Sequence, residues 1–329
     1  MKRRRFLQGS AALLASLAAP RVHAQGSKGK INLLVTTSPP DINAHYFWWA
    51  RENGFYRDAG VDISISSIVA DTTTVRGLLA GEGDVGWAGA GSGMQAMAAG
   101  SQLRIVSSFA PRLDFLVLAT EEIANLKALE GHPFAVSQIG AVSQTVSRLM
   151  IERAGGDSSK VQWLSVGSPP SRFQALTTRR VHATVLTGSQ GLAALRDPTL
   201  HVIGEAVKDL PNFLYSWEIA AAEPVKAKPD AFKAFISATS RGAAWGMANT
   251  ADAARISQKL LPNVPPEDVA RVIENYAKIR YFDPSGVLRP RDWDYTVDVM
   301  MKNGDLAKPL KYADYVVTDF VKALLATKQ

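Results

Sequence analysis

The stretch Ile31-Asn32-Leu33-Leu34-Val35-Thr36, closed by Ser38-Pro39-Pro40-Asp41, sets the reading of the chain. It is short, apolar and rich in branched residues, and a proline-bearing turn stops it, which predicts a buried strand. Residues 43–59 follow with helical periodicity, and Gly60 stands where a helix stop is expected. Val61 to Val69 alternates as a second strand. Asp71 and Thr72 to Thr74 then offer capping side chains before a helix through Leu78-Leu79. Val85 to Ala88 reads as a third strand, and Gly89 to Gly93 as a turn opening a helix over Met94 to Ala99. Strand alternating with helix at this spacing predicts a doubly wound α/β lobe.

The pattern then restarts. Pro133 to Val136, Val161 to Val166 and Val181 to Leu186 read as strands, separated by a helix ending at Ala154 and a helix over Arg172 to Thr178. Leu78-Leu79-Ala80-Gly81-Glu82-Gly83-Asp84-Val85 and Leu176-Thr177-Thr178-Arg179-Arg180-Val181-His182-Ala183 share one layout, helix end through tight turn into strand. A repeated layout predicts two similar lobes. The expected division is residues 30–111 plus 217–329 for the first lobe and 112–216 for the second. The chain would cross near Phe109 to Arg112 and near Phe213 to Trp217. Beyond Trp217 the sequence is helical: Pro229 to Ala248, Ala251 to Leu261, Pro266 to Lys278 and Trp293 to Asn303.

The first residues read as an address, not as fold. A basic run, Lys2 to Arg5, precedes a mild apolar run from Ala11 to Ala19, and Val22-His23-Ala24 presents small residues for a signal peptidase. Arg3-Arg4-Arg5-Phe6-Leu7 resembles the twin-arginine export signal. Residues 1–24 are therefore expected to be a cleaved signal peptide, with the mature protein in the periplasm. Cleavage removes five basic residues and no acid, so the formal charge falls from +7 to +2. The high pI thus belongs largely to the leader, and the mature chain has no basic stripe for nucleic acid. The absence of cysteine excludes disulfides, thiolate metal sites and a lipid-anchored leader. No stretch has the ~18 continuous apolar residues of a membrane span.

Three segments, in order, carry a family resemblance. Glu52-Asn53-Gly54-Phe55-Tyr56-Arg57-Asp58-Ala59-Gly60-Val61-Asp62-Ile63, the Leu78 to Val85 segment with its Gly/Ala-rich sequel, and Leu126 to Val136 resemble the corresponding stretches of ABC-type binding proteins for nitrate, sulfonates, taurine and thiamine-precursor pyrimidines. The resemblance implies a type II periplasmic-binding-protein fold, with two lobes, two crossover strands and a ligand cleft between them. It implies a monomeric solute-binding component that meets an ABC permease and ATPase at the inner membrane. Arg179 and His182 depart from the family's usual Gly and Asp, and Glu130-Gly131-His132-Pro133 from its usual Gly-Lys run. Enzymes on the same fold and ligand-presenting partners of membrane sensors are the competing readings.

In α/β sheets of this kind ligands sit beyond the carboxyl ends of the strands. The loops there hold Ser38, Asp41, Thr72, Thr73, Ser92, Ser137, Ser143, Thr187 and Gly188. Hydroxyls, small residues and helix N-termini suit a small organic anion, a sulfonate or carboxylate. Tyr46, near a helix start, and Trp87 and Trp217, near a strand end and a crossover, are expected to line the cleft and stack on an organic body. No metal spacing, acid/base pair or nucleophile motif is present, so neither catalytic residue nor cofactor is expected.

Overall fold

The computed structural model describes residues 28–36 and 38–326; the expected signal peptide lies outside them. Ten strands form two five-stranded sheets. The first comprises β1 (Gly29–Thr36), β2 (Val61–Ile68), β3 (Val85–Gly89), β4 (Leu103–Ser107) and β10 (Ser216–Ala221), in the order β2-β1-β3-β10-β4. The second comprises β5 (Phe115–Thr120), β6 (Pro133–Val136), β7 (Gln162–Ser165), β8 (Ala183–Thr187) and β9 (Leu200–Glu205), in the order β7-β6-β8-β5-β9. The two orders are the same topology read twice, with the strand that enters from the other lobe fourth in each.

Each sheet is parallel except for that entering strand. β10 runs antiparallel to β3 and β4, and β5 runs antiparallel to β8 and β9. The expected doubly wound lobes are thus present but mixed. The crossings lie side by side: Arg112 bridges Leu214, and the Tyr215 amide donates to the Pro111 carbonyl at 2.7 Å. The crossing residues are buried, Phe109 and Ala110 in the core of the first lobe and Leu113 and Phe213 in that of the second.

Local details depart from the expected elements for identifiable reasons. The single helix over 43–59 is two, Tyr46–Glu52 and Phe55–Asp58, because Gly54 at φ 72° takes a left-handed conformation no continuous helix can contain. The helix expected at Met94 begins at Ala90, so Ser92 sits within its first turn and not in a loop. Asp71 is the first residue of the helix Asp71–Leu79, and its carboxylate instead accepts from the Gly89 amide at 3.0 Å, tying that helix start to the end of β3. Gly81 at φ 78° and Arg179 at φ 59° make the same turn in the two halves. Arg179 bears there a conformation that glycine adopts at no steric cost.

The 20-residue helix Pro229–Ala248 packs across the first sheet and grips the Tyr46–Glu52 helix closely. Gly242 and Gly246 permit this, since a Cβ on Gly242 would lie 2.5 Å from the Tyr46 carbonyl oxygen. One core fills this face, with Phe47, Trp49, Phe232 and Phe235 wholly buried. The other face of the first sheet packs on Trp217, Trp293 and Met94.

Candidate functional site

The carboxyl ends of β1 and β8 meet across the seam between the lobes. Asp41, just past β1, accepts from the Ser189 hydroxyl at 2.9 Å and the Thr187 hydroxyl at 3.3 Å. Thr187 ends β8, so this contact joins the first lobe to the second. Beside it the Gly188 amide donates to Asp114 Oδ2 at 3.3 Å, and the Tyr276 hydroxyl donates to the same oxygen. Asp114 immediately precedes β5 and is buried. The Asn43 amide donates to the Tyr215 hydroxyl at 3.2 Å, and the Tyr215 ring meets Trp87 and Phe115 edge-on at 6.2 and 6.1 Å. Tyr276 and Tyr281 stack at 4.3 Å.

The electrostatics are those of two carboxyls removed from water together. Burial, then the nearby Asp41 carboxylate, pushes Asp114 up to about 7. Burial likewise raises Asp41, opposed by its hydroxyl donors from Ser189 and Thr187 and by backbone amides. Desolvation and the fields of these acids hold Tyr215, Tyr276 and Tyr281 well above the ordinary phenol range. Several buried polar atoms here lack a protein partner: Asp114 Oδ1, Asn43 Oδ1, Trp87 Nε1 and the Tyr281 hydroxyl. Such orphans cost free energy, and they mark places where a further molecule can bond.

Of the residues expected from sequence, the structure brings Asp41, Thr187 and Gly188 together at the seam and sets Trp87 behind Tyr215. Ser137 and Ser143 bond each other at 2.8 Å at the end of β6, and Ser143 also accepts from the Ser137 amide at 3.0 Å. Thr72 and Thr73 are exposed on the helix after β2, and Ser38 is exposed past β1. Tyr46 and Trp217 stand elsewhere than expected. Tyr46 is wholly buried, its hydroxyl donating at 2.5 Å to Glu218 in the first core. Trp217 is wholly buried against Trp293, with ring centroids 5.8 Å apart. The reason is alternation along β10: Trp217 pairs with Ala88 and Glu218 with Trp87, so the neighbouring side chains point to opposite faces, each of which is a core.

Sequence reasoning missed Asn43, Asp114, Tyr215, Tyr276 and Tyr281. Asp114 carried a signal, an isolated acid directly before the apolar run Phe115-Leu116-Val117-Leu118. Tyr276 carried none, because the helix Pro266–Lys278 reaches the seam only in three dimensions. Among the described residues no cluster of potential ligands could hold a metal ion, and no helix is long and apolar enough to cross a membrane. A separate cavity of about 690 Å³ lies at the crossings, lined by residues that include Arg112, Phe213, Arg280 and Arg289; the seam residues are not among its walls.

Comparison with known proteins agrees with this architecture. The chain is similar to the aliphatic sulphonate binding protein SsuA of Escherichia coli, with a TM-score of 0.72, 20% identity, and 88% of this chain and 92% of that one covered. The nitrate-binding protein NrtA of Synechocystis PCC 6803 gives a TM-score of 0.67 at 14% identity, over 91% and 88% of the two chains. A curated relative, "Putative binding protein YtlA" of Bacillus subtilis (strain 168), is 20% identical over 290 residues, 85% of each chain. The family model described as "NMT1/THI5 like" matches residues 42–253, most of both sheets. With that match and the repeated sheet topology together, the chain belongs to the NMT1/THI5-like family.

Proposed function

We propose that this protein is the periplasmic solute-binding component of an ABC importer, capturing one small organic molecule in the seam between its lobes. The observation that carries the reading is the clasp of Asp41 on Ser189 and Thr187, a direct polar contact between the lobes set beside the Tyr276–Asp114 bond, while Arg196 ties the same lobes together through Glu267 and Asp268. Such a clasp lets a hinged pair of lobes shut over a ligand and present one closed surface to a permease. The family and its structural neighbours support the binding role over an enzymatic one, and the leader supports export to the periplasm, where a freely soluble monomer would meet a permease and ATPase. The sequence suggested a small anion as ligand. The hydroxyls at Ser137, Ser143 and Thr187 favour that class, whereas the carboxyls of Asp41 and Asp114 oppose it.

A thermal-shift screen of the mature protein tests the reading. Sulfonates, aromatic acids, nitrate, pyrimidines and amines would be added singly. At 100 times its dissociation constant a bound solute adds ~2.7 kcal/mol, a rise of several degrees in melting temperature. At least one solute should produce a saturable shift that Asp41→Ala abolishes. A screen in which no solute raises the melting temperature, or in which every shift survives Asp41→Ala, contradicts it.

A further inference from the structure

The orphaned atoms at the seam have a chemical bias. Asp114 Oδ1 and Asn43 Oδ1 are acceptors, the Tyr281 hydroxyl can accept or donate, and Trp87 Nε1 alone is an obligate donor. Each belongs to a side chain that is at least nine-tenths buried. Each is also tied to the same group of residues: Asp114 through Gly188 and Tyr276, Asn43 through Tyr215, Trp87 through its edge contact with Tyr215, and Tyr281 through its stack on Tyr276.

The charged neighbours have the same sign. Asp41 acts directly on Asp114, and Asp71 adds its field at Tyr215. Arg112, whose field reaches Tyr281, donates to the carbonyls of Ile279 and Arg280. Arg172, buried in the second lobe, spends its nitrogens on the carbonyls of Gly167 and Val185. The remaining groups that face Asp114 are the Gly188 amide and the phenols of Tyr215, Tyr276 and Tyr281, all neutral.

We infer that the seam takes a small organic cation that carries N–H donors, an amine or amidinium on a compact body, and does not take a sulfonate or carboxylate. The inference rests on the solute-binding reading above. A protonated amine would donate to Asp114 Oδ1 and Asn43 Oδ1, which no protein group satisfies. It would also relieve the repulsion of Asp114 by Asp41 and lie within reach of the aromatic faces of Trp87 and Tyr215, which attract cations. An anion at the same place would meet two carboxyls and gain only the Trp87 indole and the Tyr281 hydroxyl as donors.

The two readings separate in one titration series on the mature protein. Benzylamine and benzamidine are the cationic probes, benzoate and benzenesulfonate the anionic ones, and benzamide is neutral. All share one aromatic body. Calorimetry should give one site per chain for a cationic probe at pH 8 and nothing saturable for the anions or for benzamide. Affinity should fall about tenfold between pH 8 and pH 6, because Asp114, with its carboxyl near 7, must then give up a proton to receive a cation. Asp114→Asn, which keeps the side chain's shape, should weaken cation binding at least tenfold and remove most of that pH dependence.

Anionic probes that bind, and bind more tightly at pH 6 or in Asp114→Asn, overturn the ligand class and leave the solute-binding reading standing. Benzamide binding as well as benzylamine overturns it in the same way. If no probe of any charge binds, and the wider solute screen is also blank, both readings fall.

Discussion

Truncating Trp49 to Ala should cost about 4 kcal/mol of stability, and adding a single methyl at Gly246 about 3 kcal/mol. Trp49 is wholly buried between the Tyr46–Glu52 helix and the long Pro229–Ala248 helix. Its indole N–H donates to Ser257 Oγ at 3.0 Å and to the Ala253 carbonyl at 3.2 Å, and its ring meets Phe282 edge-on at 5.5 Å. Truncation would leave a large void and strand the Ser257 hydroxyl. Gly246→Ala attacks the same contact from the other side, since its Cβ would stand 2.1 Å from Trp49 Cε3. A rigid indole packed on three sides has nowhere to retreat, so a helix must move. The double variant Trp49→Ala/Gly246→Ala should be markedly less damaged than the sum, because the new methyl occupies space the indole vacated. Urea midpoints of the four proteins measure this. Strict additivity would mean that the two sites do not share a contact, and the packing described above would be wrong.

The second large effect concerns pH. Glu218 lies in the middle of β10, wholly buried, opposite Trp87 on β3 and Ser107 on β4. Its two oxygens accept from the Tyr46 hydroxyl at 2.5 Å and the Ser107 hydroxyl at 2.8 Å. Burial outweighs those donors and pushes the carboxyl up to about 7, from an ordinary value of 4.5. A carboxyl raised on folding holds its proton more tightly in the native state than in the unfolded chain. Native stability from this source is therefore fully present below about pH 4.5 and is lost as pH rises through about 7. Glu218 and Asp114 should each make the ligand-free protein more stable at pH 5.5 than at pH 8, by at most roughly 2 kcal/mol. Glu218→Gln, which keeps the shape and lets one hydroxyl go on donating while the other turns to accept from the amide, should flatten about half of that slope in urea midpoints measured across the range. A stability that climbs from pH 5.5 to pH 8 would show that these carboxyls are ionised at little cost, contrary to their burial.

Much of the fold is legible in the sequence because glycine and proline punctuate it. β1, β3, β6, β7 and β8 each end in a turn of Gly, Ser, Thr or Pro, β2 ends just before the capping residues Asp71 to Thr74, and the helices that follow carry clear periodicity. β4, β5, β9 and β10 were not legible as strands. Phe115 to Thr120 and Ser216 to Ala221 are nearly all buried, so they show no inside-outside alternation. They also pair antiparallel with strands far away in the sequence, which no local signal encodes. The same gap hid part of the site. Asp41, Thr187 and Gly188 lie in loops that punctuation reveals, while Asp114 and Tyr215 flank the unseen strands β5 and β10. Trp217 looked like a cleft residue because it stands beside a crossing. Only the register of β10 against β3 turns it into a core.

Closure of one lobe on the other is the claim on which the rest depends, and the absence of cysteine makes it directly measurable. Arg76 and Gln174 are exposed, on helices that follow strand ends in the first and second lobe. Arg76→Cys/Gln174→Cys places the chain's two thiols there for spin labels, and pulsed electron resonance reads the distance between them. In the mature protein a short-distance population should be present, grow when the best solute from the screen is added, and be lost in the same protein carrying Asp41→Ala. A single distance that neither the solute nor Asp41→Ala changes would mean that the seam is a fixed interface and not a ligand clasp.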